Sequence, residues 1–448
     1  MKGKIYLVSL GCDKNLVDSE VMLDMLQDAG YGVTNEEQEA DVIVVNTCSF
    51  IHDAKQESIE TILEMAANKE AGTCKGLVVT GCLSERYKEE LLVEMPEVDG
   101  ILGASNYDEI LPAVESILAG NRFKSFRSID HSPAPHVRRV TETAGSHGYL
   151  KIAEGCDNFC TYCIIPKLRG RFRSRDMESL VEEARLLAAK GKSEIILVAQ
   201  DVGKYGLDLY GSRKLPELLE KLAAVEEVQW IRLLYVYPED VTEGLIQAMK
   251  REPKVLPYLD MPMQHADNGI LKSMGRKSSR EELERLVETL RREVPGICIR
   301  TTFIVGFPGE TEEAYGNLYA FVERMRLDRV GVFTYSREED TPADRMEGHV
   351  PEEEKVRRQE ELLALLQEIS LENNGGMVGQ VLEVAVEGYM PENEAYVGRS
   401  YRDAPQVDGL VFFPAPFELL SGQHVRVRIT AANEYDLMGE LVEDEYSE

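Results

Sequence analysis

Short apolar runs alternate with amphipathic stretches through the first part of the chain. Residues 5–9 are apolar, 19–29 have helical spacing, 41–46 are β-branched, 53–68 are helical and 77–80 are strand-like. Such alternation predicts an open parallel sheet covered by helices. A polar, proline-rich stretch, His131-Ser132-Pro133-Ala134-Pro135-His136, has the character of a linker. A first domain is therefore expected over 1–131 and a linker over 132–137. The alternation restarts at Tyr149, with strands predicted at 149–153, 194–199, 230–236, 258–263, 298–305 and 330–335. Six strand-helix repeats predict an open or partial β/α barrel over 138–374, closed by a charged helix over 351–373 that stops at Gly375-Gly376. Beyond it, β-rich runs at 381–386, 410–413 and 424–429 are separated by Gly, Pro and Asn, which predicts a small antiparallel β barrel over 375–448. The expected class is α/β with an all-β tail.

The length, 448 residues with 43% hydrophobic, agrees with that division, at roughly 150 residues per domain. The net charge of −30 repels phosphate backbones, because nucleic-acid binding relies on Lys and Arg. Nucleic-acid binding is not expected without a local basic groove. Apolar runs such as 43–45 and 195–198 fall far short of the ~20 residues that span a bilayer, so no membrane segment is expected. The start, Met1-Lys2-Gly3-Lys4, an apolar run at 5–10 and then Gly11-Cys12, has the outline of a lipoprotein export signal. Its apolar run is shorter than the ~7–15 residues required, and Asp13-Lys14 follows. It is better taken as the buried first strand of a cytoplasmic protein. There, eight cysteines are too few for a disulfide scaffold, and any clustering points to metal binding or catalysis.

Three cysteines do cluster, in Glu154-Gly155-Cys156-Asp157-Asn158-Phe159-Cys160-Thr161-Tyr162-Cys163, just after the first strand of the central region. Barrel active sites lie at the carboxyl ends of strands. Structural zinc takes four closed ligands, and this segment offers three; a zinc knuckle would have to borrow Cys298 or His265. A four-iron cluster on three cysteines leaves one iron open to a small molecule. The Cys-x3-Cys-x2-Cys spacing, with Tyr162 before the last cysteine, resembles the signature of radical S-adenosylmethionine enzymes. The resemblance implies that the open iron chelates S-adenosylmethionine and that an electron from the cluster releases a 5′-deoxyadenosyl radical. It extends to 302–310, where Gly306, Gly309 and Glu310 are similar to the family's cofactor-contacting loop, and glycines admit close backbone approach. Gln200-Asp201 and Gln264-His265 stand at strand ends, where they either hold the cofactor or cap helices. Arg169, Arg171, Arg173 and Arg175 follow the cysteines and are candidates to neutralise carboxylates, or else solvated loop charges.

A second triad is dispersed. Cys12, Cys48 and Cys82 each directly follow a predicted strand, 36 and 34 residues apart. Ligands of open parallel sheets bind outside the carboxyl ends of the strands, so these thiols converge on one crevice, unless they are three unrelated packing residues. Cys74 and Cys298 stand at the opposite strand ends and are expected to pack.

With both triads and the β tail, nearly the whole chain resembles the methylthiotransferases. That resemblance implies a (β/α)6 partial barrel, a C-terminal TRAM domain, two 4Fe-4S clusters bound by Cys12, Cys48, Cys82 and by Cys156, Cys160, Cys163, and two uses of S-adenosylmethionine per product. It also implies an electron donor of flavodoxin or ferredoxin type and a sulfur carrier. Chemistry at an unactivated C–H bond belongs to the cofactors, so no side chain is singled out as catalytic. The segment 10–20, beginning Leu10-Gly11-Cys12-Asp13-Lys14-Asn15, resembles the branch that converts an aspartate of the twelfth small-subunit ribosomal protein to 3-methylthioaspartate. The tail from Met377 carries 14 acidic residues against Arg399, Arg402, Arg426 and Arg428. That charge fits a basic protein partner better than RNA, which calls for cations with stacking aromatics, although acidity also serves solubility. The alternatives are a tRNA methylthiotransferase and a non-enzymatic iron-sulfur electron carrier.

Overall fold

The computed structural model describes residues 2–72, 74–133, 136–141 and 145–442; Ala134 and Pro135 of the expected linker lie outside them. The N-terminal sheet has six parallel strands in the order Gly32–Val33, Lys4–Ser9, Val42–Thr47, Gly76–Gly81, Gly100–Leu102, Phe123–Ser125. Val42–Thr47 and Gly76–Gly81 are buried at every position, as strands covered on both faces are. Ile43, Val45, Leu77 and Val79 pack on Ile62 and Met65 of one helix, His52–Ala71. Val42, Val44 and Val78 face the other way, onto Met22 and Leu26 of the helix Asp13–Asp28. Each such fully buried side chain contributes roughly 1.5–3 kcal/mol. The helix starts at Asp13, directly after Cys12 and six residues before the expected start, because Lys14, Asn15 and Asp18 are buried against neighbours.

The central sheet is also all parallel and follows chain order: His147–Lys151, Glu194–Val198, Trp230–Leu233, Val255–Asp260, Cys298–Val305, Arg329–Thr334. Its ends do not pair with each other, so the barrel is open. Side-chain alternation divides its faces. Ile195, Leu197, Ile231 and Leu233 pack under the helices, whose N-termini are capped by Asp176, Thr242, Ser279 and Thr311, each worth roughly 1 kcal/mol. Tyr149, Ile196, Val198 and Tyr258 face inward, where Val17 of the first helix and Ala385 and Ala404 of the tail cover them. The inner face of the open barrel is thus closed by the two flanking units.

The tail is a closed five-stranded barrel in the order Val381–Met390, Ala395–Ser400, Val411–Phe413, Leu437–Leu441, His424–Ala432. Four pairings are antiparallel, and one, Val411–Phe413 with Leu437–Leu441, is parallel. Arg399 of this barrel and Arg232 of the central sheet both close on Glu194. Among the described residues no helix is long and apolar enough to cross a membrane.

Candidate active site between two cysteine triads

The first triad lies on a loop pinned at its base by the strand pair Ala153–Glu154 and Arg173–Ser174. Gly155 has φ of +79°, and a Cβ there would fall 2.0 Å from the Arg171 carbonyl oxygen, so only glycine can enter this turn. The Cys156 N–H donates to the Gly170 carbonyl (3.1 Å) and the Cys163 N–H to that of Cys160 (3.0 Å). Cys156 and Cys160 are buried. Burial pushes the Cys156 thiol up to about 11, and burial with the neighbouring Cys160 raises Cys163 further. These thiols are ionised only when cationic metal compensates them. Two side chains stand over Cys160: the Arg276 guanidinium and the Tyr237 hydroxyl, each 3.8 Å from its Sγ, with Arg276 stacked 4.2 Å from the Tyr237 ring centre. Asp201 braces the loop from below, accepting from Asn158 (2.8 Å) and pairing with Lys204 (3.1 Å). Burial and the nearby Asp240 raise its carboxyl to about 7.

The second triad ends three adjacent parallel strands. Asn15 locks it, donating to the carbonyls of Leu10 (2.9 Å) and Thr47 (3.0 Å), while Asn46 donates to the Asn15 carbonyl and to Ser19 Oγ (both 2.9 Å). Cys48 is within electrostatic reach of Cys82 and Cys12; burial first, then Cys82, push its thiol up to about 12. Gly11 and Gly81 both have positive φ, and a Cβ on Gly81 would meet the Thr47 oxygen at 2.5 Å. Gly81→Ala adds that clash to the ~1–2 kcal/mol of a left-handed L-residue. It is expected to displace Cys82 and to lower the iron content of anaerobically prepared protein from two clusters' worth toward one.

The two triads meet. Arg169 ends the short helix Ile165–Arg169 that follows Cys163. Its Nε donates to Cys82 Sγ (3.4 Å) and its Nη1 to Asp18 Oδ2 (2.9 Å) and Glu154 Oε2 (3.4 Å). Lys151 joins the network through Glu154 (2.8 Å) and Asp18, and Gln200 donates to Glu154 Oε1 (2.8 Å). Ile164 and Leu168 pack on Cys82. Of the two roles left open for the four arginines, carboxylate neutralisation or solvated loop charge, the structure gives Arg171 the second and commits Arg173 and Arg175 to the protein's own groups. Arg173 holds Ser132 (3.2 Å) and the Arg171 carbonyl (2.6 Å), Arg175 holds Glu183 (2.6 Å), and Arg171 is exposed.

At the far side of the barrel mouth, Gly306 and Gly309 have φ of +74° and +84°. Glu310 accepts from the Gly306 N–H (3.0 Å) and from Arg358 (2.8 Å), and lies 3.3 Å from His265. It fixes the glycine turn from behind. Gln264, at φ of +72°, bridges to Phe303. The side-chain oxygens of Gln264 and Gln200 are buried without a partner, which leaves two acceptors for the ammonium or hydroxyls of a small molecule. Cys298 is turned to the Arg402 carbonyl (3.5 Å) and Cys74 to that of Gly76 (3.3 Å), so both pack as expected. Among the described residues no three His, Cys, Asp or Glu side chains are grouped to hold a single metal ion. The triads suit a polynuclear cluster, whose thiolates stand farther apart. Tyr237 and Arg276 gave no signal in the sequence, and Lys14 and Asn15 stood there only as part of the segment that resembles one branch of the family; the polar run Asp13-Lys14-Asn15 at the start of a buried helix was the one mark of a local role.

Three family models match the chain: an uncharacterized protein family, UPF0004, over residues 4–103, the radical SAM superfamily over 150–322, and a TRAM domain over 378–442. A ribosomal protein uS12 methylthiotransferase RimO from Lachnoclostridium phytofermentans is 53% identical over 436 residues, 97% of this chain and 99% of its own length. The chain belongs to the RimO family. A second RimO, from Pelotomaculum thermopropionicum, is 52% identical over 440 residues, 98% of this chain and 99% of the relative. Among solved structures, the radical S-adenosylmethionine methyltransferase TsrM from Kitasatospora setae, with cobalamin and a 4Fe-4S cluster bound, covers 77% of this chain and 74% of its own. Its TM-score is 0.58 at 16% identity, a likeness of fold alone. As a RimO family member, this chain is an enzyme that works with S-adenosylmethionine and 4Fe-4S clusters.

Proposed function

We propose that this chain converts an aspartyl side chain of ribosomal protein uS12 to 3-methylthioaspartate. The observation that carries the reading is the link between two cysteine triads on separate sheets: the helix that follows Cys163 packs Ile164 and Leu168 on Cys82 and sets Arg169 3.4 Å from its Sγ. Cys156, Cys160 and Cys163 would hold one cluster and Cys12, Cys48 and Cys82 the other, in domains we assign to 138–374 and 1–131. The C-terminal domain is assigned to 375–448. When bound, the clusters and S-adenosylmethionine supply a hydrogen-abstracting radical and the methylthio group.

The chain's own residues position and shield these groups. Gln200 and Gln264 offer acceptors to the cofactor, and the Gly306–Glu310 turn admits it closely. Arg276 and Tyr237 direct N–H and O–H toward Cys160, and Arg169 directs an N–H toward Cys82; such contacts stabilise a thiolate. The packing of Ile164 and Leu168 on Cys82 would help to exclude water where the bound groups react. RNA is disfavoured as the substrate: Arg399 and Arg402 of the tail are buried against Glu194 and Asp328, leaving Arg426 and Arg428 as the exposed arginines of an acidic barrel. A basic ribosomal protein fits that surface. The electron donor we infer is of flavodoxin or ferredoxin type, with a separate sulfur carrier, in the cytoplasm. Anaerobic incubation with uS12, S-adenosylmethionine, reductant and sulfide should give uS12 heavier by one methylthio group. Intact uS12 with modified tRNA, or reduction of partners without consumption of S-adenosylmethionine, would sink the proposal.

A further inference from the structure

Lys14 is 7% exposed, two residues after Cys12, with its Nζ 3.5 Å from the centre of the Tyr235 ring at the barrel mouth. The cations around it are matched by carboxylates: Lys151 and Arg169 by Asp18 and Glu154, and Arg300 by Asp260 and Asp408. Among the described residues, no carboxylate lies within ion-pair distance of Lys14. A buried ammonium is costly unless an anion meets it, and a cation–π contact offsets only part of that cost. The tail's Asp408 and the inner-face Asp260 are already committed to Arg300. The groups that face Lys14 are the Tyr235 hydroxyl, Cys12 and Asp13; neither Asp13 nor any other described carboxylate comes within ion-pair distance, and Cys12 is assigned to a cluster, so a directly paired carboxylate has to come from outside the chain.

We propose that Lys14 binds the carboxylate of the substrate's target aspartate and is a specificity-determining residue for it. This rests on the function proposed above. Carboxylate chemistry alone admits two sources, the aspartyl side chain and the methionyl end of S-adenosylmethionine. Three observations favour the first. Lys14 belongs to the Cys12 side, where sulfur is delivered, and not to the Cys156 loop. The Cys156 loop has its own cation, Arg276 beside Cys160. The reacting carbon of an aspartyl residue bears the carboxylate directly, so fixing the carboxylate fixes the C–H bond relative to both clusters.

The test is a cycle of affinities, measured anaerobically on the cluster-loaded full chain with S-adenosylmethionine bound, using uS12 and a uS12 variant with its target Asp→Asn. The unaltered enzyme should bind the aspartate form roughly tenfold to a hundredfold more tightly, the range of one charged hydrogen bond. Lys14→Met should bind the two forms alike, and Lys14→Arg should recover part of the preference. Iron content and the Kd for S-adenosylmethionine should stay unmoved in both variants. A preference for aspartate that persists in Lys14→Met overturns the proposal. So does a preference unchanged while the Kd for S-adenosylmethionine rises, which would assign Lys14 to the cofactor, or while iron is lost, which would make it a counter-charge for the cluster. An unaltered enzyme that neither binds nor modifies uS12 would instead sink the function on which the proposal rests.

Discussion

Alanine at Cys156, Cys160 or Cys163 is expected to stop 5′-deoxyadenosine formation completely, read by chromatography of anaerobic reactions containing a strong reductant. The argument is one of ligand number. Three thiolates leave one iron for the cofactor; two leave the cluster itself unheld, on a loop whose turn at Gly155 tolerates no rearrangement. Alanine at Cys12, Cys48 or Cys82 is expected to behave differently: methylthiolation of uS12 disappears, and 5′-deoxyadenosine still forms. The difference follows from placement on separate sheets, each with its own core. Persistent 5′-deoxyadenosine in the first set would refute that triad, and undiminished methylthiolation in the second would refute the other.

The sequence disclosed the two triads because each is tied to local pattern, one by spacing within a loop and the other by the strand ends that place its members side by side. The six strands of the central sheet were legible for a related reason: their interiors are short apolar runs, fully buried in Glu194–Val198 and partly so in Cys298–Val305 and Arg329–Thr334. Of the strands it concealed, Gly32–Val33, Gly100–Leu102 and Phe123–Ser125 are two or three residues long, too short for any period to show, while Ala395–Ser400 and Leu437–Leu441 are longer but are broken by glycine and charged residues. The helix at Asp13–Asp28 was started late because its first turn buries Lys14, Asn15 and Asp18, which looks polar in isolation. Those residues contradict the hydrophobic pattern where the two sheets meet, and such conflicts gather at functional sites. Arg169 was legible only as one charge in a series of four. Its partners, Asp18 and Cys82, are 151 and 87 residues away, beyond the reach of any local reading.

Glu194 should be the most acid-sensitive tie between the central sheet and the C-terminal barrel. It has no solvent exposure, Arg232 donates to it at 2.6 Å and Arg399 of the barrel lies 2.7 Å away. Arg232 also reaches the Tyr401 carbonyl (2.7 Å), so one carboxylate organises both sides of the junction. Glu194→Ala leaves the buried Arg232 guanidinium without its anion and Arg399 with Glu387 alone (2.7 Å), a loss of roughly 3–5 kcal/mol. The expected readout is early release of the barrel, seen as proteolytic cleavage near Gly375-Gly376 under conditions where the unaltered chain resists. Burial alone raises the Glu194 pKa, but Arg399 and Arg232 outweigh it and hold the carboxyl at about 2. An unfolded glutamate titrates near ~4.3, so the stabilisation is complete above that value and is lost as pH falls from there through about 2. The difference in protease resistance between the unaltered chain and Glu194→Ala should therefore be full at neutral pH and shrink as the solution is acidified across that interval. A difference that stays constant from neutral pH down to the lower limit would show that Glu194 acts by packing and not by charge.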